Sequence, residues 1–329
     1  MESIYEKIRA AAGKEGVLPQ GFSIQPEPTD PNALRFADGA KDGIVFYHAG
    51  GGSNKELLER LETITNTVAC GGSYEAAATE LAACFGENDG MLGCTDGLQE
   101  WIVAHRAGLD ASRLFTFATA LLTQSASLGA IKYALTVLEL MAGTKGKWRD
   151  VVRALALSDE LTLFCAFVAS RWDNGDDVLF DMARKTRGWG RIHAIREITS
   201  PNEVAEEWLL DEGWNNDVLP AYTALDCAEK GKLMKRLEQP MTRTQLDAAG
   251  GLIRALLDEG PCRNFSAMDD GVPLLIAYLT QVQRAEQPNE EDRQTVQTIL
   301  EAAEQPGLPQ LQERARNVLA AINEGSTNV

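Results

Sequence analysis

Residues 158–200 read SDELTLFCAFVASRWDNGDDVLFDMARKTRGWGRIHAIREITS, and the punctuation of this stretch decides the fold. Ser158, Asn174, Gly188 and Ser200 are helix-start signals spaced 12 to 16 residues apart, and each opens a segment with apolar residues at helical spacing. Two such segments make a unit of roughly 30 residues, within the size range of helical solenoid repeats. A helix of that length cannot bury its apolar face alone, so each pair must stack on the next.

The same period runs outward from this centre. From about residue 34 onward, apolar residues recur one helical turn apart, as in Leu57, Leu58, Leu61 and Ile64, and again in Leu114, Phe117, Ala118 and Leu121. Ala, Leu, Glu, Gln and Arg dominate, and alternating β-branched runs between turn dipeptides are few. Further start signals fall at Ser73, Asp110, Ser127 and Asn289. These features predict an all-α fold, an α-α superhelix of stacked helix pairs over residues 34–323. Residues 1–33 read as a short helix followed by a connector in which Pro19, Pro26, Pro28 and Pro31 forbid continuous helix. Residues 324–329 read as a frayed tail.

The segment Leu311-Gln-Glu-Arg314-Ala315-Arg-Asn-Val318-Leu319-Ala-Ala-Ile322 has an Arg-Ala step followed by apolar residues one turn on. It resembles the second helix of a HEAT unit, with looser versions in residues 190–198 and 150–157. The chain thus resembles the HEAT and armadillo-like repeat families over about its last half. The inter-helix Asp and first-helix Pro of well-formed HEAT units are missing from most of these segments. Around residues 189–197 and 208–213 it also resembles uncharacterised bacterial helical-repeat proteins. The resemblance implies a solenoid and carries no activity with it.

With 329 residues and 44% hydrophobic content, the chain is long enough for one extended domain or two compact ones. Its net charge of −17 repels polyanions. The densest basic group, Lys230, Lys232, Lys235 and Arg236, reads as a solvated helix face. Nucleic acid is therefore not an expected partner. No apolar run is long enough to span a bilayer, and residues 1–12 are amphipathic and charged instead of signal-like, so we expect a cytoplasmic protein without membrane contact. Cys70, Cys84, Cys94, Cys165, Cys227 and Cys262 form no C-x-x-C pair and have no His at metal-ligand spacing, which leaves no expectation of a metal or cofactor. They read as small buried thiols in a reducing compartment.

Three motifs imitate chemistry. Residues 44–52, IVFYHAGGG, resemble the strand and His-Gly-Gly-Gly oxyanion loop of esterases, with His48 followed by Gly50, Gly51 and Gly52. A hydrolase would also need a nucleophile elbow, and the nearest candidate, Ser125-Ala-Ser127-Leu-Gly129, lacks the first glycine of that turn. The simpler reading is a short helix over residues 42–48, ended by glycines. Gly52-Ser53-Asn54-Lys55 imitates a phosphate loop, but Asn54 and Glu56 stand where Gly and Ser or Thr are needed, and a helix cap before Lys55 is the better account. The carboxylates of Asp173, Asp176 and Asp177 do not follow calcium-loop spacing and suit a first helical turn capped by Asn174.

The richest polar and aromatic cluster is Trp189, Arg191, His193, Arg196 and Glu197, with Trp208 and Trp214 close in sequence. His193 and Glu197 stand at i, i+4 on one helix side. These residues would line a concave solenoid face and grip an acidic or aromatic group; alternatively Ile192, Ile195 and Ile198 are core and the charges brace neighbouring repeats. Taken together, the sequence points to a non-enzymatic scaffold for protein or peptide partners, basic or neutral sooner than acidic. A hydrolase at His48 or a helical-repeat enzyme acting on nucleic acid is the disfavoured alternative.

Overall fold

A computed structural model describes residues 2–14, 16–25, 35–49, 54–85, 90–258, 260, 262–304 and 308–326. Every regular element among them is helical, and no strand is present among the described residues. The chain is all-α. Its contacts gather it into two compact units, Met1–Ile198 and Thr199–Val329. The expectation of one domain over residues 34–323 drew no boundary at that point.

The first unit contains α1 (Ile4–Ala12), α2 (Ala40–Ile44), a π-helical turn (Val45–Ala49), α3 (Lys55–Ala69), α4 (Tyr74–Cys84), α5 (Thr95–His105), α6 (Ala111–Gln124), α7 (Leu128–Glu139), α8 (Trp148–Leu155), α9 (Asp159–Ser170), α10 (Gly175–Lys185) and α11 (Trp189–Glu197). The expected helix over residues 42–48 is therefore α2, begun two residues earlier, and the π turn that continues it. The glycines after it, residues 50–52, lie outside the described residues, as do Pro26, Pro28 and Pro31 of the expected connector and residues 327–329 of the expected tail. The N-terminal helix is part of the first unit's core: Ile4, Ile8 and Ala12 are buried, and α1 packs on α6 and α8.

The core of this unit is built on α7 and α9. Residues 129–138 of α7 are all buried, and α9 buries nine of its twelve residues. A helix apolar on every side must be surrounded; α7 packs on α6 and α9, and α9 packs on α10 and α11. Some of the polar groups this interior takes in are paired with each other. The Tyr133 hydroxyl lies 2.8 Å from the hydroxyl of Thr65 on α3, and burial pushes its phenol up to about 12.

The second unit contains α12 (Glu203–Trp208), a π turn (Leu209–Gly213), α13 (Ala221–Lys230), α14 (Leu233–Leu237), α15 (Arg243–Leu257), α16 (Gly271–Arg284), α17 (Glu290–Ala302) and α18 (Pro309–Ser326). Alternate helices touch: α13 packs on α15 and α15 on α17, while α14 packs on α16 and α16 on α18. Arg243 ties α15 to α17 through paired hydrogen bonds to Asp292 of 2.7 and 2.8 Å, and also reaches Asp247 at 2.7 Å. On the expected solvated basic face, Lys232 and Lys235 are exposed, and Lys230 pairs with Asp226, Lys232 with Glu206 and Arg236 with Asp211.

Local chemistry explains many of the helix starts. Asn54, Ser73, Asp110, Ser127 and Asn289 each accept a backbone N–H of the first turn through their side chains. Ser158 precedes α9 without making that bond, and Asn174 does the same before α10. The start expected at Ser200 falls at Asn202, whose side chain caps α12. The cysteines are all free, but only Cys94, Cys165 and Cys227 are buried; Cys70 is exposed, and Cys84 and Cys262 are intermediate. Cys70 follows the last turn of α3, where the chain leaves the core.

Candidate functional site

The N-terminus of α9 gathers the buried charge of the first unit. Lys132 projects from the otherwise apolar α7, is 2% exposed, and meets Asp42 of α2 at 2.6 Å. Its ammonium also lies 3.9 Å from Glu160 in the first turn of α9. Glu160 accepts the Gly39 backbone N–H at 3.1 Å and the side-chain amide of Gln25. Beside them, Ser23 donates to Asp38 at 2.6 Å, and burial pushes the Asp38 carboxyl above its usual range. Two carboxylates and one ammonium thus fasten the chain on both sides of residues 26–34 to α7 and α9.

Glycine makes the close approach possible. A Cβ on Gly43 would lie 2.3 Å from Trp189 Cε3, and one on Gly39, where φ is +77°, would lie 2.6 Å from the Asp159 carbonyl oxygen. The two Asp-Gly steps, 38–39 and 42–43, therefore give α2 a bare side that fits flat against the start of α11.

Over that contact sits an aromatic stack. His193, Tyr47 and Trp189 form a triangle of rings: His193 lies 6.0 Å from Tyr47 at 16° and 5.9 Å from Trp189 at 28°, and Tyr47 lies 6.0 Å from Trp189. Phe46 meets His193 edge-on at 6.4 Å, within the range of favourable ring pairs. The Arg196 guanidinium lies 4.9 Å from the centroids of both Phe46 and Tyr47. The π turn, which inserts an extra residue per turn, carries Phe46 and Tyr47 into these positions.

His193 is 1% exposed, and neither ring nitrogen has a hydrogen-bond partner. Burial holds its pKa down to about 3, reinforced by the positive charges of Arg196 and Lys132. A neutral imidazole sealed from solvent cannot exchange protons with a substrate in this conformation. The arrangement braces α2 and the π turn against α9 and α11.

Of the residues expected from sequence, Trp189, His193 and Arg196 are brought together, but Trp189 and His193 face the interior and only Arg196 is exposed. Arg191 donates to the carbonyls of Ala183 and Thr186 and closes the end of α10. Glu197 is half-buried, and the i, i+4 pairing with His193 does not form. Ile192, Ile195 and Ile198 are core, at 1%, 0% and 1% exposure. Trp208 and Trp214 belong to the second unit, where their indole N–H groups donate to Glu212 and to the Leu210 carbonyl. Trp214 also lies against Gly251 of α15, where a Cβ would come within 2.4 Å of its ring. The seven residues therefore do not form one open surface.

His48 is exposed at the end of the π turn. The strand that an oxyanion loop requires is absent among the described residues, and Ser127 is occupied as the cap of α7, accepting the Ala130 N–H.

Sequence reasoning missed a concave site in the second unit. A cleft of about 540 Å³ is walled by the end of α15 (Leu256, Leu257), the turn at Asn264, Phe265 and Ser266, Leu275 of α16, Thr298, Glu301 and Ala302 of α17, then Glu304, Leu308, and Leu311 of α18. Phe265 is seated against Gly271, where a Cβ would come within 2.7 Å of its ring. The hydroxyl and amide groups of the wall are locally satisfied: Thr298 donates to the Gln294 carbonyl, and Asn264 accepts from both the backbone and the hydroxyl of Ser266. The residues come from five separate stretches, and no motif marks them. Among the described residues, no group of three His, Cys, Asp or Glu side chains is placed to hold a metal ion, and no helix is long and apolar enough to cross a membrane. No family model matches the chain, and neither the curated proteins nor the solved structures compared with it include a match.

Proposed function

We propose that this protein is a non-enzymatic binding scaffold that receives a protein or peptide partner, basic or neutral, on the faces of its layered helices. The observation that carries the reading is the combination of layering and charge in the second unit. Alternate helices pack on one another in two series, as stacked pairs in a HEAT- or armadillo-like solenoid would. Residues 199–329 carry 22 Asp and Glu against 11 Lys and Arg, a field that attracts cationic partners and repels polyanions. The buried ionisable groups of the first unit support the same reading, because they are committed to one another.

The test is chemical cross-linking in native lysate, followed by reconstitution of the captured protein with the purified chain. We expect a saturable complex that weakens as salt is raised, since exposed charges are screened over about 8 Å at physiological ionic strength. Failure to reconstitute any captured protein at cellular concentration overturns the proposal.

A further inference from the structure

The cleft between α15, α16, α17 and α18 has an apolar lining, in the half-buried Leu257, Phe265 and Leu308 over the fully buried Leu256, Leu275 and Leu311, and a carboxylate rim, in Glu301 and Glu304. Two properties narrow what fits there. Its hydroxyl and amide groups are already satisfied within the protein, so nothing is aimed inward to orient a polar small molecule, as small-ligand sites require. Its charged lining residues are all acidic, on a chain whose net charge of −17 also opposes pairing with a second copy.

We infer that the cleft docks an apolar anchor of a partner protein, presented by an amphipathic segment whose flanking side chains are Lys or Arg. The anchor removes the remaining exposed surface of Leu257, Phe265 and Leu308 from water, along with its own, which supplies the affinity. The flanking cations meet Glu301 and Glu304 at the rim, which sets the approach and the choice of partner. This inference rests on the binding role proposed above and locates it.

The probe is a fluorescein-labelled amphipathic Leu–Lys peptide about four helical turns long, titrated against the full chain, with a Leu–Glu peptide of the same pattern as control. Thr298→Trp fills the cleft from its wall, and the double variant Glu301→Lys/Glu304→Lys reverses the exposed rim without touching the core. Helicity and melting temperature verify that each variant folds. We expect saturable one-to-one binding of the Leu–Lys peptide, no binding of the Leu–Glu peptide, and roughly tenfold weaker binding in the rim variant at low salt. A similar or larger loss is expected for Thr298→Trp. Absence of saturable binding, or binding that neither variant weakens, overturns the inference, the latter because it would mark adsorption to the acidic surface at large. If Thr298→Trp captures and reconstitutes the native partner as well as wild type does, the cleft assignment falls while the scaffold reading stands. If peptide binding responds to both variants but no native partner reconstitutes, the cleft stands and the scaffold reading falls.

Discussion

The two units handle charge in opposite ways. The first places Lys132, Asp42 and Glu160 inside, at exposures of 2%, 7% and 7%, and closes an aromatic stack over a neutral histidine. The second keeps most of its excess carboxylate at the surface and opens an apolar cleft beneath two of those groups. A buried ion triad costs desolvation that its attraction only partly returns, so it contributes geometry more than stability. Surface carboxylates contribute little to stability and a great deal to long-range steering. The first unit is accordingly fastened by its buried charges, whereas the second leaves most of its charge free of that structural task.

The comparison breaks most visibly at Lys132. Lys132→Met leaves Asp42 and Glu160 buried without their cation, and we expect a loss of about 3–5 kcal/mol, seen as a lowered urea midpoint. Amide exchange should rise across α2, α7 and α9 while α13 to α18 keep their protection. A loss below about 1 kcal/mol, the surface-pair range, would mean that water reaches the triad and that the first unit is not sealed.

Acid should open the first unit next. The pKa of His193 is about 3 when folded, against 6.5 for the free side chain. Between those values the unfolded chain binds the extra proton, so stability is unaffected above pH 6.5 and falls as pH is lowered through the window. The slope is about 1.4 kcal/mol per unit, or about 2 kcal/mol between pH 6.5 and 5. His193→Phe retains the ring stack and lacks the titrating group, so the difference between wild type and variant isolates this contribution from the carboxylates. Parallel pH profiles would show that His193 is hydrated. In the second unit, Arg243→Met should cost less, about 1–2 kcal/mol. Asp292 is fully buried but keeps the Asn289 backbone N–H at 2.9 Å, and Arg243 itself is partly exposed. A loss as large as that of Lys132→Met would erase the contrast between the units.

The all-α architecture was legible because helical periodicity and capping chemistry are local. Asn54, Ser73, Asp110, Ser127 and Asn289 need only their own first turn to act as caps. The site was not legible, because its partners are distant: Asp42 and Lys132 are 90 residues apart, and a lone lysine in the apolar run of α7 signals that a buried partner exists without saying which. His193 and Glu197 have the spacing of a surface pair, but that reasoning assumes one solvated side. α11 is covered by α2, α9 and α10, and its histidine stacks into the interior. Gly39 and Gly43 were the readable clue, since two Asp-Gly steps four residues apart leave one side of a helix bare for another element. The cleft offers no such clue, because its walls are ordinary Leu, Thr and Glu positions on helices whose packing sequence periodicity does not specify.

The smallest expected effect sharpens the contrast most. Glu301 and Glu304 are exposed, and the hydrogen bond from Gln297 to Glu301 at 2.8 Å is a surface contact. Reversing both charges should therefore change unfolding free energy by less than about 0.5 kcal/mol, measured by urea melts at moderate salt. The same substitution moves the net charge from −17 toward neutrality by four units, which relieves self-repulsion and favours a slight gain over a loss. Carboxylates that stability does not need, set around an apolar lining, are what a docking rim requires. A loss above about 1 kcal/mol would instead make them braces of α17, and the second unit would then resemble the first in using its charges to hold itself together.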